Sequence, residues 1–317
     1  MFKEKKLSIV VPCFNEQEAV PVFYSAAVKV LTRMAADKMI SSYEIIFVDD
    51  GSTDGTLDEF HTLADQDSNV HYISFSRNFG KEAGIYAGLV KTTGTYVALM
   101  DADLQDPPEL LPDMLSAITE EGYDCAGSRR STRKGEPPIR SFFAHCFYKL
   151  MSHLTDVQIV DGARDFRLMT RQMADAVISL AERNRFSKGL FMWVGFKTKW
   201  FSYENIQRVA GTTKWNFYKL FMYSLDGIVA FSTKPLALAS IAGIISLGIS
   251  FLGILFIIIR KIVMAGNDAV AGWASLVCIM LFINGIQLFC LGIVGQYIAK
   301  MYIETKHRPI YLTREEK

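Results

Sequence analysis

The stretch Glu44-Ile-Ile-Phe-Val48-Asp49-Asp50-Gly51-Ser52 sets the fold class, because an apolar run ends there abruptly in two carboxylates and a turn. A run too short for a helix, with no polar alternation, reads as a strand buried on both faces, the pattern of a parallel sheet. The same design recurs outward from it in Leu7–Val11, Val70–Phe75 and Tyr96–Met100, each followed by polar or turn-forming residues. Between these runs, Gln17–Ala35, Thr56–Ala64 and Lys81–Leu89 carry helical apolar spacing, the second behind the cap or turn cluster Ser52-Thr-Asp-Gly55. Strand-helix-strand repetition implies right-handed crossovers and an α/β, doubly wound, mostly parallel sheet.

Ligands of such sheets bind outside the carboxyl ends of the strands. The chemistry-bearing residues fall at those ends. Pro12-Cys-Phe-Asn15-Glu16 follows the first strand, Asp49-Asp50-Gly-Ser the second, Arg77-Asn-Phe-Gly-Lys81 the third and Asp101-Ala-Asp103-Leu-Gln105 the fourth. Beyond them, Asp106 before two prolines is expected to cap a helix over Glu109–Glu121. Tyr123–Ala126 reads as a strand ending at Gly127-Ser-Arg129-Arg130, and Ser131–Arg140 as a basic loop.

Two uncharged apolar stretches, Pro235–Ile259 and Ala269–Ala299, each exceed the roughly 20 residues needed to cross a bilayer as a helix, and both are expected to span. Lys300, Lys306, Arg308, Arg314 and Lys317 follow the second stretch. Two crossings put both chain ends on that positive side, with Arg260 and Lys261 snorkelling at the far interface. Phe217, Leu220, Phe221, Ile228 and Phe231 line one side of a helix that reads either as core or, more in keeping with its position, as interfacial. The expected organisation is therefore a catalytic domain over 1–215, a juxtamembrane amphipathic segment over 216–234, a two-helix membrane module over 235–299 and a tail over 300–317.

Composition agrees with an anchored enzyme: 50% of 317 residues are hydrophobic, and the excess lies in the last third. A net charge of +1 gives no reason to expect nucleic acid as a partner. Five scattered cysteines without CxxC spacing argue against a disulfide framework or zinc site and fit a reducing compartment. The N-terminus lacks the apolar core and cleavage site of a signal peptide, so the catalytic domain is expected in the cytoplasm.

Two carboxylates one residue apart, followed by Gln105, supply the oxygen ligands that hard cations prefer; standing alone, such a motif reads as an acidic surface turn. Asp49-Asp50-Gly51-Ser52 reads equally as a nucleoside-holding loop or a plain Asp-Gly turn. Arg129 and Arg140 read as phosphate ligands or as a solvated basic loop. Asp165, in Asp161-Gly-Ala-Arg-Asp-Phe-Arg-Leu, is either a carboxylate beside the reacting carbon or the partner of a structural salt bridge with Arg164 or Arg167.

Taken together, VVPCFNE, VDDGSTDGT, SRNFGKEAG, ALMDADLQDPPE, GSR, DFRL and QRVAGTTKW resemble glycosyltransferase family 2 with its GT-A fold. With two C-terminal spans the chain is similar, more narrowly, to bacterial polyisoprenyl-phosphate glycosyltransferases of the GtrB type, relatives of dolichol-phosphate mannose synthase. The resemblance covers roughly residues 5–300. It implies Asp101, Asp103 and Gln105 at a metal, Mg2+ or Mn2+, and at the diphosphate. It places Pro12, Asn15, Glu16, Asp49 and Asp50 around the nucleoside and Lys81 near the donor. Arg208 and Lys214 close over the diphosphate, and Arg129 receives the acceptor phosphate. Asp103, Asp165 and Arg129 become the catalytic candidates.

The implied reaction is inverting transfer of one hexose from a UDP-sugar, UDP-glucose above all, to undecaprenyl phosphate at the bacterial plasma (inner) membrane, for cell-envelope glycosylation. A flippase and an extracytoplasmic glycosyltransferase are the partners this implies downstream. Two spans and the absence of a Gln-x-x-Arg-Trp order argue against a processive polymer synthase. Sugar-phosphate transfer giving a lipid diphosphosugar, and a non-catalytic nucleotide-sugar scaffold, stay open. Small residues in Gly243–Gly253 and Gly285–Gly295 allow close helix packing within the chain or in a homo-oligomer.

Overall fold

The computed structural model of the chain describes residues 5–130, 160, 162–203, 227–263 and 272–317. Strands β1 (Lys6–Cys13), β2 (Ser42–Asp49), β3 (Val70–Phe75) and β4 (Tyr96–Leu99) lie parallel in the order β4-β1-β2-β3. Helices α1 (Ala19–Ala36), α2 (Thr56–Gln66) and α3 (Lys81–Lys91) make the crossovers. Their apolar runs do not alternate because both faces of the sheet are covered. Ile9, Val11 and Phe47 pack with Phe23 and Phe60 on one side, while Val10 meets Ile85 and Leu89 of α3 on the other. α3 approaches closely at Gly88, where an added Cβ would sit 2.2 Å from Val10 Cγ1.

Cys13 pairs with Asp49 at the end of the β1–β2 ladder, so the two strand tips finish level. Beyond β4 the sheet turns mixed. β5 (Cys125–Arg130) begins near the expected strand but runs on through Gly127-Ser-Arg. It pairs with β6 (Ala163–Thr170), which lies antiparallel to both β4 and β5, and with β7 (Thr198–Tyr203) in parallel. A 3-10 turn over Pro108–Leu110 leads into α4 (Leu111–Thr119), shorter than the expected helix. Thr170 caps α5 (Arg171–Ser179), accepting the Met173 N–H at 3.4 Å, and α6 covers Ser187–Trp193. Arg167 on β6 is buried, its guanidinium 3.8 Å from the centre of the Phe191 ring of α6.

Helices α7 (Lys234–Val263) and α8 (Trp273–Thr305) contain the segments Lys234–Gly253 and Ile279–Thr305, long and apolar enough to cross a membrane. Residues 227–231 are helical just before α7, and Phe231 packs edge-on to Phe186 at 6.1 Å. The base of α8 is tied to the α/β domain, because the Glu304 carboxylate accepts the backbone N–H groups of Arg183 and Asn184 at 2.7 and 3.0 Å. The chain then returns to the sheet. β8 (Thr313–Glu316) pairs antiparallel with β3 and covers an edge that would otherwise stand open. Both ends of the two-helix module therefore lie on the side of the α/β domain.

Candidate functional site

The tips of β1 and β2 are sewn together by their loops. Asn15, in the left-handed region at φ 54°, donates its N–H to Ser52 Oγ at 2.9 Å and accepts the Thr53 N–H on Oδ1 at 2.8 Å. Glu16 donates its N–H to Thr56 Oγ1 at 2.9 Å. Pro12 sits on β1, where an added Cβ at Gly84 of α3 would lie 3.3 Å from its ring.

Asp49 and Asp50 are buried at the tip of β2, and their carboxylates hold neighbouring loops. Asp49 accepts the Ser52 N–H and the Ser74 hydroxyl, each at 2.8 Å. Asp50 accepts the N–H groups of Phe79 at 2.6 Å and Gly80 at 2.9 Å, and burial pushes its carboxyl up despite those bonds. Gly51 is required between them and the next loop. Its φ is +68°, and a Cβ there would stand 2.4 Å from the Arg77 carbonyl carbon.

Lys81 connects the third tip to the fourth. Its ammonium lies 2.7 Å from Asp101 Oδ1 and 2.6 Å from Asp165 Oδ2, and Lys188 lies 3.9 Å from the other Asp165 oxygen. Burial acts against both charged forms, yet Asp101 and Asp165 together hold the Lys81 pKa well above the ordinary lysine value. Lys81, Lys188 and Arg167 in turn hold Asp165 well below the usual carboxylate range. Neither structural partner expected for Asp165 pairs with its carboxylate. Arg167 donates instead to the Asp165 and Arg164 carbonyl oxygens, and the Arg164 side chain reaches the loop over 101–106.

That loop follows β4. Asp101 is partly exposed and Asp103 is buried; Leu104 takes the left-handed region at φ 52°, and Gln105 donates its N–H to Asp103 Oδ1 at 3.2 Å. Arg164 Nη2 donates to the Gln105 side-chain oxygen at 2.9 Å, and its Nε to Asp106 Oδ1 at 3.3 Å. Asp106 is therefore not the helix cap that its place before two prolines suggested. It turns into the core, where the Tyr203 hydroxyl also bonds it, its Oδ2 lacks a partner among the described residues, and burial raises its carboxyl. The pairing of Arg164 and Tyr203 with Asp106 escaped the sequence reading because it joins β6, the β4 loop and β7. The only signal was the run of three charges around Arg164.

Arg129 is exposed on β5, its Nε donating to Ser202 Oγ of β7 at 2.8 Å. Arg208, Lys214, Arg140 and the greater part of the helix expected from Phe217, up to residue 226, lie outside the described residues, while its end over 227–231 is helical. Glu82, next to Lys81, is a further buried carboxylate that the sequence did not single out. It accepts the Ser187 N–H at 2.9 Å and the Ser187 hydroxyl, tying the start of α6 to α3, and burial raises its pKa.

Among the described residues no three His, Cys, Asp or Glu side chains converge on a closed metal cage. Asp101, Asp103 and Gln105 offer hard oxygen donors, too few to enclose an ion alone. That set fits a Mg2+ or Mn2+ ion shared with substrate phosphates and water, and does not fit a zinc site.

A family model described as glycosyl transferase family 2 matches residues 8–178. The chain is 42% identical over 313 residues to CsbB of Bacillus subtilis (strain 168), assigned by name to the glycosyltransferases, covering 99% of this chain and 92% of that one. It is 40% identical over 312 residues to the bactoprenol glucosyl transferase of Shigella phage SfV, covering 98% and 99% respectively. Among solved structures, the Mycobacterium tuberculosis glucosyl-3-phosphoglycerate synthase in complex with Mn2+, uridine diphosphate and phosphoglyceric acid matches with a TM-score of 0.49 and 18% identity. That match covers 71% of this chain and 76% of the other.

Proposed function

We propose, from the premise that the chain belongs to glycosyltransferase family 2, that it moves one glucose from UDP-glucose to a polyprenyl phosphate at the membrane surface. The observation that carries the reading is the carboxyl end of the parallel sheet, where Asp49, Asp50, Lys81, Asp101 and Asp103 lie, in the same chain as two apolar helices. Bactoprenol glucosyl transferases similar along nearly their whole length support the sugar and the acceptor class.

In this reading the loops after β1 and β2 hold the nucleoside. Asp101, Asp103 and Gln105 hold a divalent cation which, when bound, offsets charge on the departing diphosphate. Lys81 adds a fixed positive charge beside Asp101, and Arg208 and Lys214 add two more over the diphosphate. Arg129 orients the acceptor phosphate, a task suited to the guanidinium fork.

An acceptor phosphate oxygen attacks the anomeric carbon from the face opposite the diphosphate. The new O–C bond forms as the bond to the β-phosphate oxygen breaks; UDP leaves and the configuration inverts. The acceptor needs no strong base, since a phosphomonoester loses its second proton at a pKa of about 6. Asp165 agrees with this: a carboxyl held below the ordinary range is a weak proton acceptor, and its work is to fix Lys81. The catalytic domain faces the cytoplasm, a reading supported by the return of β8 to the sheet and by the basic residues after the second helix.

The test is incubation of the full chain with labelled nucleotide sugars and polyprenyl phosphate. Labelled lipid phosphosugar and UDP are expected. Release of UMP would establish sugar-phosphate transfer instead, and absence of any transfer would leave the scaffold reading.

A further inference from the structure

The last residues of the chain do more than close a sheet edge. Tyr311 stacks on Phe75 with ring centres 4.8 Å apart and meets Tyr86 of α3 edge-on at 6.4 Å. Ile310 and Tyr311 together complete an apolar cluster with Ile73, Phe75, Phe79, Ala83 and Ala87. Ser76, the first residue after β3, donates its N–H to the Leu312 carbonyl at 2.9 Å. The loop over 76–80 is thereby gripped from outside by the C-terminal segment.

The same loop is gripped from inside by the β2 tip. Phe79 and Gly80 donate their N–H groups to Asp50, Phe79 packs edge-on to Phe75 at 5.8 Å, and Gly51 lies against the Arg77 backbone. Immediately beyond the loop, Lys81 reaches Asp101 and Asp165. At its other end the C-terminal segment is fixed to α8 and to the residues after α5, since Arg183 Nε donates to the Arg308 carbonyl at 2.5 Å. One continuous chain of interactions therefore runs from the base of a membrane helix, through Arg308 and Tyr311, to the loop that shares Asp50.

We propose that residues 308–317 are a positioning element for the donor nucleotide, in which Tyr311 and Leu312 fix the 76–80 loop and through it Asp50. The inference rests on the reading that the β2 tip receives the nucleoside of UDP-glucose. Its physical basis is that a short loop held on two sides moves once the outer side is released, and displacements near 1 Å at a binding constellation have large effects. A merely structural tail would lower stability and leave the donor affinity of the folded molecules unchanged.

The experiment compares full-length wild type, Tyr311→Ala and Tyr311→Phe in detergent micelles, measuring UDP binding by calorimetry and transfer kinetics with donor and acceptor varied separately. Tyr311→Ala is expected to weaken UDP binding and raise the donor KM together by about tenfold, with kcat at saturating donor within about twofold. Tyr311→Phe keeps the ring stack and is expected to match wild type. Unchanged UDP affinity in folded Tyr311→Ala, or a fall in kcat with the donor KM unmoved, would overturn the proposal. If Tyr311→Ala does not fold, Ile310→Ala is read by the same criteria. A wild-type chain that binds UDP but transfers no sugar would defeat the functional reading while leaving the UDP comparison decisive for the tail.

Discussion

The two ends of the parallel sheet use buried acids in opposite ways. At the amino end Glu44 is 3% exposed and saturated by fixed partners. Lys6 lies 2.6 Å away, the Ser8 hydroxyl donates at 2.6 Å, and the Thr93 N–H donates at 2.8 Å. Gly94 closes the set by donating its N–H to Ser8 Oγ at 2.8 Å. At the carboxyl end Asp49, Asp50 and Asp103 are buried as well, but the Lys81 cluster is shared and open: the Lys81 side chain is 42% exposed while serving two carboxylates, and Asp101 is 25% exposed. A buried charge with every partner in place contributes to stability, whereas a charge held at a crevice by a movable lysine remains available to a ligand. Substitutions at the amino end should therefore alter stability and spare transfer, and those at the carboxyl end should do the reverse.

The largest effect is expected from Asp103→Asn. It removes a charged oxygen ligand with almost no change of volume, so turnover should fall by about 10³-fold, in the range seen when one preorganised electrostatic group is removed from an active site. Far-UV circular dichroism and the thermal transition should stay close to wild type, and exhaustive chelation of the wild-type chain should mimic the substitution. Near-normal turnover in the variant, or activity untouched by chelation, would make the carboxyl end as structural as the amino end.

Arg129→Ala comes next. Its Nε bond to Ser202 leaves the exposed guanidinium other donors for an acceptor phosphate. The acceptor KM should rise by about tenfold to a hundredfold, the scale of removing a charge-assisted hydrogen bond, while UDP affinity measured by calorimetry stays unchanged. Loss of UDP binding with an unaltered acceptor dependence would move Arg129 to the donor side of the crevice.

How much of this was legible follows the same division. β1 to β4 could be read because strands covered on both faces must be apolar throughout, and their ends were marked by Asp, Asn and Gly. β6 could not, because Arg164, Asp165 and Arg167 interrupt it, and Arg167 is accommodated by two backbone carbonyls of its own strand and by stacking on Phe191, which is distant in sequence. β8, Thr-Arg-Glu-Glu, carries no apolar signal; it joins the sheet through its backbone, and Glu315 and Glu316 pair with His61 of α2 and Lys91 of α3. The strand-tip carboxylates were visible as motifs, but the Lys81–Asp165 pair and the turn of Asp106 toward Arg164 depend on strand order, which no local pattern encodes. A cut after Thr233, which on the sequence alone separates a soluble domain from its anchor, also removes β8 and the Tyr311 ring stack.

A steric change at the amino end sharpens the comparison. In Gly94→Ala the new methyl would stand 2.5 Å from Ser8 Oγ and 2.8 Å from the Lys6 carbonyl oxygen, and backbone on that side cannot yield cheaply. Overpacking of this kind costs about 1–3 kcal/mol. A lower thermal transition is expected with the donor KM unchanged. A raised donor KM at full folding would show that the two ends are coupled through the sheet.

The smallest effect, and the most diagnostic of charge, belongs to Glu44→Gln. Burial alone would raise the Glu44 carboxyl, but Lys6, Ser8 and Thr93 outweigh it and hold the pKa below the ordinary value. A carboxyl depressed in the fold stabilises it above the unfolded pKa of about 4.3, and that contribution disappears as pH falls through the lower folded value. At pH 7 the substitution should cost about 1–3 kcal/mol, the scale of a buried hydrogen bond to a charged group, with transfer kinetics unchanged. As the pH falls below the ordinary glutamate range, the thermal transitions of wild type and variant should converge, because the wild-type carboxyl is then neutral too. A gap equally wide at pH 7 and at strongly acid pH would mean that Glu44 acts through shape rather than charge, and the amino end would lose its role as the charge-saturated counterpart of the site.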